Sequence, residues 1–375
     1  MSTLPTWIDR TARSACYIGL MSGTSLDGVD AVLIDFSSGR PELIDHAYSP
    51  YPESLRETLL SLHAPGMDET NRGALTAIEL SRLYSEAVLL LLEKAGISHH
   101  QIAALGCHGQ TIRHRPESGY SIQLADSPLL AELTGITVVS NFRNRDIAAG
   151  GQGAPLVPAF HEAVFRSSHT HRVILNLGGI ANLTDLPQEG PVRGFDCGPG
   201  NMLMDAWTGL HLGKPYDDEG EWACSGKVLP SLLDSLLKDD YFSQLPPKST
   251  GRDRFNLEWL ESRLTGSEHP EDVQATLLFL TAKSAADSIE KHCSGAREIY
   301  LCGGGARNSA LWKALENLLP GRTLASTDNL GIASNQVEAA AFAWLARQTL
   351  KGLPGNLPEV TGARGRRILG AIHPA

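Results

Sequence analysis

The chain is expected to fold as an α/β protein built from two related domains, and three features predict this. Short apolar, β-branched runs alternate with stretches of helical period along the whole sequence. A strand–glycine–strand unit stands at 16–36, and a second, alike in pattern though not in letters, follows at 172–186. At 375 residues the chain also exceeds the size at which one hydrophobic core usually stops growing.

The elements follow in order. Residues before Cys16 read as a short tail. The segment GLMSGTSLDGVD at 19–30 is a turn rich in Gly, Ser and Thr between two apolar runs, as in a hairpin. Residues 74–95 carry the period of a long amphipathic helix, and 102–107 form a short apolar strand ending in HGQT. Residues 137–140 form another strand, which leads into a polar loop at 141–153. Gly178-Gly179 joins the two strands of the second hairpin. GFDCGPG at 194–200 precedes a helix over 201–209, and 273–292 is a further helix. A buried strand at 299–302 meets Gly303-Gly304-Gly305, followed by a helix over 308–319 with Asn308 as its cap. An Ala-rich helix at 335–350 comes last; Pro246-Pro247 and the Gly/Pro-rich stretch after Lys351 read as loops.

Composition narrows the function. A hydrophobic content of 42% and a charged content of 20% are ordinary for a soluble globular protein. The net charge of −10 argues against broad electrostatic binding to nucleic acid or an anionic membrane, while leaving room for a local basic pocket. The six cysteines show neither CxxC nor zinc spacing, which fits a reducing cytoplasm. No signal-peptide core and no bilayer-length apolar run is present.

Several segments carry chemistry. In the 19–30 turn, Gly23 and Gly28 permit close backbone approach, Ser22, Thr24 and Ser25 offer hydroxyls, and Asp27 and Asp30 suit a hydrated magnesium ion. An ordinary polar hairpin turn would show many of the same letters. CGGGARN at 302–308 lies between a strand and a helix, where three glycines let a flat ligand pass and the helix start favours phosphate; a tight turn needs fewer. Asp196, in FDCGPGNMLMD, is placed to act as a general base on a water or hydroxyl, although Asx-turn and capping roles compete. Asp205 falls within the expected helix and reads as structural. HGQTIRHRP at 108–116 reads as a sugar- or phosphate-contacting loop or a solvated basic one. Arg143, Arg145 and Asp146 precede a flexible GGQG, and arginine forks suit a carboxylate. Lys248 and Arg252 form a weaker case of the same kind, and Glu338 opens the last helix. Walker A and GxGxxG signatures are missing, so ATP would be bound by another architecture.

In this order, GLMSGTSLDGVDAVLIDF, CHGQTIRH, RDIAAGGQGAPLVPAFH, NLGGIANLT, GFDCGPGNMLMD, PPKSTGR and CGGGARN resemble the anhydro-N-acetylmuramic acid kinases. The resemblance implies two ribonuclease-H-like domains of the sugar-kinase/actin type with a central ATP cleft, over 1–135 plus 336–375 and over 136–335. It implies an ATP-dependent kinase that phosphorylates O6 of 1,6-anhydro-N-acetylmuramic acid as water opens the anhydro ring. The products would be N-acetylmuramic acid 6-phosphate and ADP, in cell-wall peptidoglycan recycling. Asp196 would be the catalytic base. Gly23, Thr24, Ser25, Leu26, Asp27, Gly28, Val29 and Asp30 would hold the ATP phosphates, and Gly303, Gly304 and Gly305 would flank the nucleoside. Mg2+ would meet Asp27, directly or through water. Gln110, Thr111, Arg143, Arg145, Asp146 and Glu338 would bind the sugar. The expected partner is a small-molecule sugar, without nucleic acid or membrane, for a cytoplasmic homodimer. Asn141 and Cys197 replace an expected aspartate and threonine. A kinase for an ordinary sugar, and a non-catalytic nucleotide-dependent regulator, are the competing readings.

Overall fold

The computed structural model describes residues 14–23 and 25–375. The tail up to residue 13 and Thr24 therefore lie outside the described residues. Along the chain come β1 (Cys16–Met21), β2 (Gly28–Asp35), β3 (Glu42–Pro50), α1 (Glu53–Leu62), α2 (Glu69–Ala95), β4 (Ile102–Cys107), β5 (Gln110–Arg115) and β6 (Tyr120–Leu124). Then follow α3 (Ser127–Thr134), β7 (Val138–Ser140), α4 (Phe142–Ala148), α5 (Val157–Phe165), β8 (Arg172–Leu177), β9 (Ile180–Leu186), β10 (Arg193–Pro199) and α6 (Met202–Leu212). The rest is α7 (Glu221–Ser225), α8 (Pro230–Leu237), α9 (Leu257–Glu261), α10 (Pro270–His292), β11 (Glu298–Cys302), α11 (Ser309–Leu318), β12 (Thr323–Ser326), α12 (Val337–Leu350), α13 (Pro358–Thr361) and β13 (Ala371–His373).

Two units emerge, Met1–Val164 with Gln336–Ala375, and Phe165–Asn335. In the first, the sheet order is β13-β7-β4-β1-β2-β3; in the second it is β10-β9-β8-β11-β12. Each contains the same five-strand plan. A central strand, β1 or β8, pairs antiparallel with the next strand in sequence, and a third strand continues that hairpin. On its other side lie two parallel strands, β4 and β7 or β11 and β12. This is the ribonuclease-H-like order, present once in each unit, and it makes the chain of the sugar-kinase/actin type.

The first boundary requires a correction. It was expected at 135/136 and falls at 164/165, because β7 pairs with β4 and with β13, and Asp146 bonds to Asn356 and Thr361. The expected loop at 141–153 holds α4, and the basic segment after His108 is β5, paired with β6. The Gly/Pro-rich C-terminal stretch contributes α13 and β13. β3 was not anticipated; it is an edge strand whose side chains are mostly exposed or half-buried, so its apolar pattern is faint.

Local chemistry ends the helices where the sequence suggests. Gly96 closes α2 with a φ of 64°, and the Ile97 N–H returns to Leu92 O at 3.1 Å, a Schellman closure. Asn308 caps α11 by accepting the Leu311 N–H at 3.0 Å. The Ala-rich α12 buries residues on every side, as a central helix must. It can lie against β1 and β4 because Gly19 and Gly106 stand there: a Cβ on Gly19 would fall 1.9 Å from Ala339 O, and one on Gly106 would fall 2.0 Å from Phe342 O.

Candidate active site

In the second unit the site is built on β10. Phe195 faces the core, and the next residue, Asp196, emerges on the other face. The β9–β10 register shifts between Asp196 and Gly198, so Cys197 is the extra residue of a bulge, a device that re-aims neighbouring side chains. Cys197 itself is fully buried in the core, and burial pushes its thiol up to about 12. Its replacement of threonine therefore falls on the core side of the strand.

Asp196 is half-buried, and desolvation pushes its carboxyl up to about 6. The Thr250 N–H, donated to Oδ2 at 2.9 Å, and the Lys248 charge oppose that rise without overcoming it. The backbone is pinned as well: Asp196 N–H donates to Lys248 O at 3.1 Å, and the Tyr241 hydroxyl donates to Asp196 O at 2.8 Å. Lys248 lies over the Tyr241 ring at 4.6 Å from its centroid and donates to Tyr241 O at 3.2 Å. A carboxylate with a raised pKa, still largely ionised at neutral pH, is suited to take a proton. Asp205, in the first turn of α6, is pushed to about 7 by burial, with Arg252 lowering it and Asp217 raising it.

Three glycine-rich segments far apart in sequence meet in this unit. The Gly178-Gly179 turn accepts the N–H groups of Gly200 at 2.9 Å, Asn201 at 2.8 Å and Met202 at 3.2 Å. Asn201 Nδ2 donates to Leu177 O at 2.9 Å. The glycines divide by role. A Cβ on Gly200 would lie 2.2 Å from Gly178 O, and one on Gly303, whose φ is +81°, would lie 2.3 Å from Asn176 Oδ1. One on Gly305 would lie 2.8 Å from Leu177 Cβ. These three make the segments interlock. A Cβ on Gly178, Gly179 or Gly304 would meet nothing nearer than 3.5 Å. These three are therefore glycines that internal packing does not demand. In the sequence Gly178 and Gly179 show only a hairpin turn, because the letters do not say which glycines pack inward.

In the first unit the β1–β2 turn is plugged into the core by Leu26, which is 2% exposed and has a φ of +58°. Ser25 and Asp27 are exposed, joined by a bond of 2.6 Å from Ser25 Oγ to Asp27 Oδ1. Val29 is buried in the core and Asp30 is half-buried. Gly28 is required by packing, since a Cβ would lie 2.4 Å from Ser49 O, whereas Gly23 meets only Ser25 Oγ at 3.6 Å. Gln110 is a strut for this turn: its Nε2 donates to Gly23 O at 3.1 Å and its Oε1 accepts from Tyr51 at 3.4 Å. Ser22, Tyr84 and Tyr51 continue the buried chain, with Ser22 Oγ 2.8 Å from Tyr84 Oη and the two tyrosine oxygens 3.1 Å apart. Thr111 Oγ1 accepts from Gln123 at 3.1 Å.

The arginines separate. Arg143 donates to Gly153 O at 2.8 Å and to His108 Nε2 at 2.9 Å. His108 Nδ1 then serves as the donor to Ser22 O at 3.3 Å, and burial with the Arg143 charge pushes the ring down to about 3, so it stays neutral. Burial pushes the Glu338 carboxyl up, and Arg143 works against that rise. Arg145 is exposed and lines a cavity of about 420 Å3 with Arg366, Arg367, Ile368 and Gly370. Asp146 is fully buried, with Oδ1 accepting from Asn356 at 2.6 Å and Thr361 at 2.7 Å, and Oδ2 from Gly153 N–H at 2.8 Å. Its carboxylate is taken up in holding α4 to the C-terminal segment.

Among the described residues, no group of three or more His, Cys, Asp or Glu side chains could hold a metal ion. A magnesium ion that keeps its waters needs only one or two carboxylates beside a substrate's phosphates, and exposed Asp27 fits that smaller requirement. All six cysteines are free. Among the described residues no helix is long and apolar enough to cross a membrane.

Known proteins resemble the chain over nearly its whole length. A family model described as anhydro-N-acetylmuramic acid kinase matches residues 15–375. Curated proteins of that name are 59% identical in Nitrosospira multiformis, over 97% of this chain and all of that one, and 56% identical in Thiobacillus denitrificans, over the full length of both. Among solved structures, the activator of 2-hydroxyisocaproyl-CoA dehydratase from Clostridium difficile aligns with a TM-score of 0.47 and 13% identity, over 90% of this chain and 96% of that one. A ROK family glucokinase from Streptomyces griseus aligns with a TM-score of 0.39 and 14% identity, over 89% and 99%. The sequence matches span both units and every segment described above, and by them the chain belongs to the anhydro-N-acetylmuramic acid kinase family.

Proposed function

We propose that the protein transfers the γ-phosphoryl group of ATP to O6 of 1,6-anhydro-N-acetylmuramic acid while water opens the anhydro bridge. Family membership supports the substrate, and the raised carboxyl of Asp196 is the observation that carries the mechanism. Water attacks the anomeric carbon, the C1–O6 bond breaks, and O6 takes the phosphoryl group from ATP. The proton lost by the water passes to Asp196. Because O6 leaves toward phosphorus, it needs no acid to protonate it. One carboxylate can then do what an ordinary glycosidase divides between two. The products are N-acetylmuramic acid 6-phosphate and ADP, a step of peptidoglycan recycling, and a cytoplasmic, homodimeric enzyme is proposed with it on the strength of family membership alone.

Phosphoryl transfer depends chiefly on positioning and on donors around the phosphates. The 23–30 turn is assigned to the ATP phosphates, presenting Ser25 and backbone amides while Leu26 and Gln110 hold its shape. Gly303, Gly304 and Gly305 are assigned to the nucleoside, with Gly304 as the exposed member. Asp27 would hold Mg2+, which supplies neutralisation of phosphate charge when bound. Arg143, Arg145, Thr111 and Glu338 remain assigned to the sugar. Gln110 and Asp146 serve that role only by positioning, since their polar atoms are already engaged.

The test is ADP release with Mg-ATP and the anhydro sugar in oxygen-18 water. Label on the anomeric hydroxyl of a 6-phosphorylated product is expected. ADP release without label would reduce the reaction to simple transfer, and no sugar-dependent ADP would leave only the family fold. Gly304→Val provides a second test. Its Cβ meets only Asn201 Nδ2, at 3.8 Å, so the melting temperature is expected to hold while the Kd for ATP rises about tenfold or more. An unchanged Kd by calorimetry would put the nucleoside elsewhere.

A further inference from the structure

Beside Asp196 stands a polar atom that the fold leaves unanswered. Thr250 Oγ1 is buried and has no hydrogen-bond partner. The same residue's N–H holds Asp196 Oδ2 at 2.9 Å. That nitrogen and the hydroxyl belong to one residue, three covalent bonds apart, so Oγ1 stands next to the contact that holds the carboxylate. Only Oδ2 of the carboxylate is engaged by that amide, which leaves Asp196 Oδ1 to accept from a water. A buried hydroxyl without a partner is costly, and a water drawn in beside the carboxylate and bonded to both residues would remove that cost.

We propose that the Thr250 hydroxyl is the second holder of the attacking water, accepting one of its hydrogens while Asp196 takes the other. This rests on the ring-opening reaction proposed above. Asp196 alone fixes the water along one direction only. A second hydrogen bond turns an oxygen lone pair toward the anomeric carbon, and orientation of this kind is a recognised part of the rate. The PPKSTGR segment thus acts on the chemistry through two atoms of one residue. Its amide steadies the base, and its hydroxyl steadies the nucleophile. The hydroxyl keeps its own proton throughout, and the water's proton goes to Asp196.

Thr250→Val preserves shape and the N–H bond to Asp196 but removes the hydroxyl; Thr250→Ser preserves both groups. In Thr250→Val, kcat is expected to fall about ten- to hundredfold, with KM for ATP and for sugar within about twofold of wild type. Thr250→Ser is expected to keep at least about half of kcat. The acid limb of the pH profile stays in place in both, because the base is untouched. Undiminished kcat in Thr250→Val, a loss confined to KM, or a Ser variant as slow as the Val variant would each overturn the assignment. If the Val variant does not fold, Thr250→Ala against Thr250→Ser decides by the same contrast. Wild-type product from oxygen-18 water separates the two failures. An unlabelled product defeats the reaction itself, whereas labelled product with a fully active Val variant defeats Thr250 alone.

Discussion

Asp196→Asn is expected to lower kcat by roughly 10²–10⁴-fold while the Kd for ATP stays within about twofold. The amide oxygen of asparagine can still accept the Thr250 N–H, and the backbone bonds to Lys248 and Tyr241 are independent of the side chain. What is lost is the ability to take a proton. Stability should move the opposite way. Burial raises the Asp196 carboxyl from an ordinary 3.8 to about 6, so the folded state holds its proton more tightly than the unfolded chain does. That contribution to stability is fully present below the unfolded value and is lost as pH rises through about 6. At neutral pH the ionised carboxylate therefore costs stability, on the order of 3 kcal/mol, and asparagine removes the cost. A variant that is inactive yet melts higher identifies a group kept for chemistry; one that is inactive and melts lower points to structural damage. In wild type, kcat/KM should rise with pH to a plateau above about 6, as Asp196 ionises. Asp205, held near 7, also titrates in this range, so the limb should persist in Asp205→Asn. If the limb disappears there and survives elsewhere, the base is Asp205.

Much of this was legible from local pattern. β1, β4, β8, β9 and β11 are short apolar runs that meet glycine, and glycine at the end of a buried strand marks a place where the backbone must turn sharply or come close to something. The duplicated hairpin could be read for the same reason. Asp196 drew attention because a carboxylate beside glycines in an apolar run is locally inconsistent, and such inconsistencies collect at functional sites. What the letters could not carry was the identity of each neighbour. Gly303 and Gly304 are adjacent and alike in sequence, yet one is demanded by Asn176 and the other is exposed. Asp146 and Arg145 looked equally suited to a ligand, but partners more than two hundred positions away take up the Asp146 carboxylate. α4 was hidden because FRNRDIA has too few turns to display a period. Thr250 carries no signal in the sequence beside Lys248 and Arg252, since an unanswered hydroxyl exists only once its surroundings are known.

Gly106→Ala is expected to destabilise the first unit by about 3 kcal/mol or more, and Gly19→Ala by a similar amount. The added Cβ on Gly106 would stand 2.0 Å from Phe342 O, 2.7 Å from Phe342 C and 3.2 Å from Ala346 Cβ. Two of these obstacles are helix backbone, which cannot change rotamer, so α12 as a whole must withdraw from β4. Withdrawal is costly because α12 is buried on all sides and its alanines fit the sheet closely. It also reaches the site, because Glu338 lies in the first turn of α12 and its carboxyl interacts with Arg143. The melting temperature is expected to fall by about 6–12 °C, with activity falling at temperatures where the variant is still folded. Gly73→Ala is the control. Gly73 lies inside α2, where a Cβ would meet only Leu124 Cδ2 at an ordinary 4.0 Å, so alanine should stabilise by about 0.5–1 kcal/mol. Equal melting shifts in the two variants would mean that glycine's chain flexibility, and not the approach of α12 to the sheet, sets the stability at both positions. Opposite shifts would tie the stability of the first unit to the close approach of α12 to the sheet at Gly19 and Gly106.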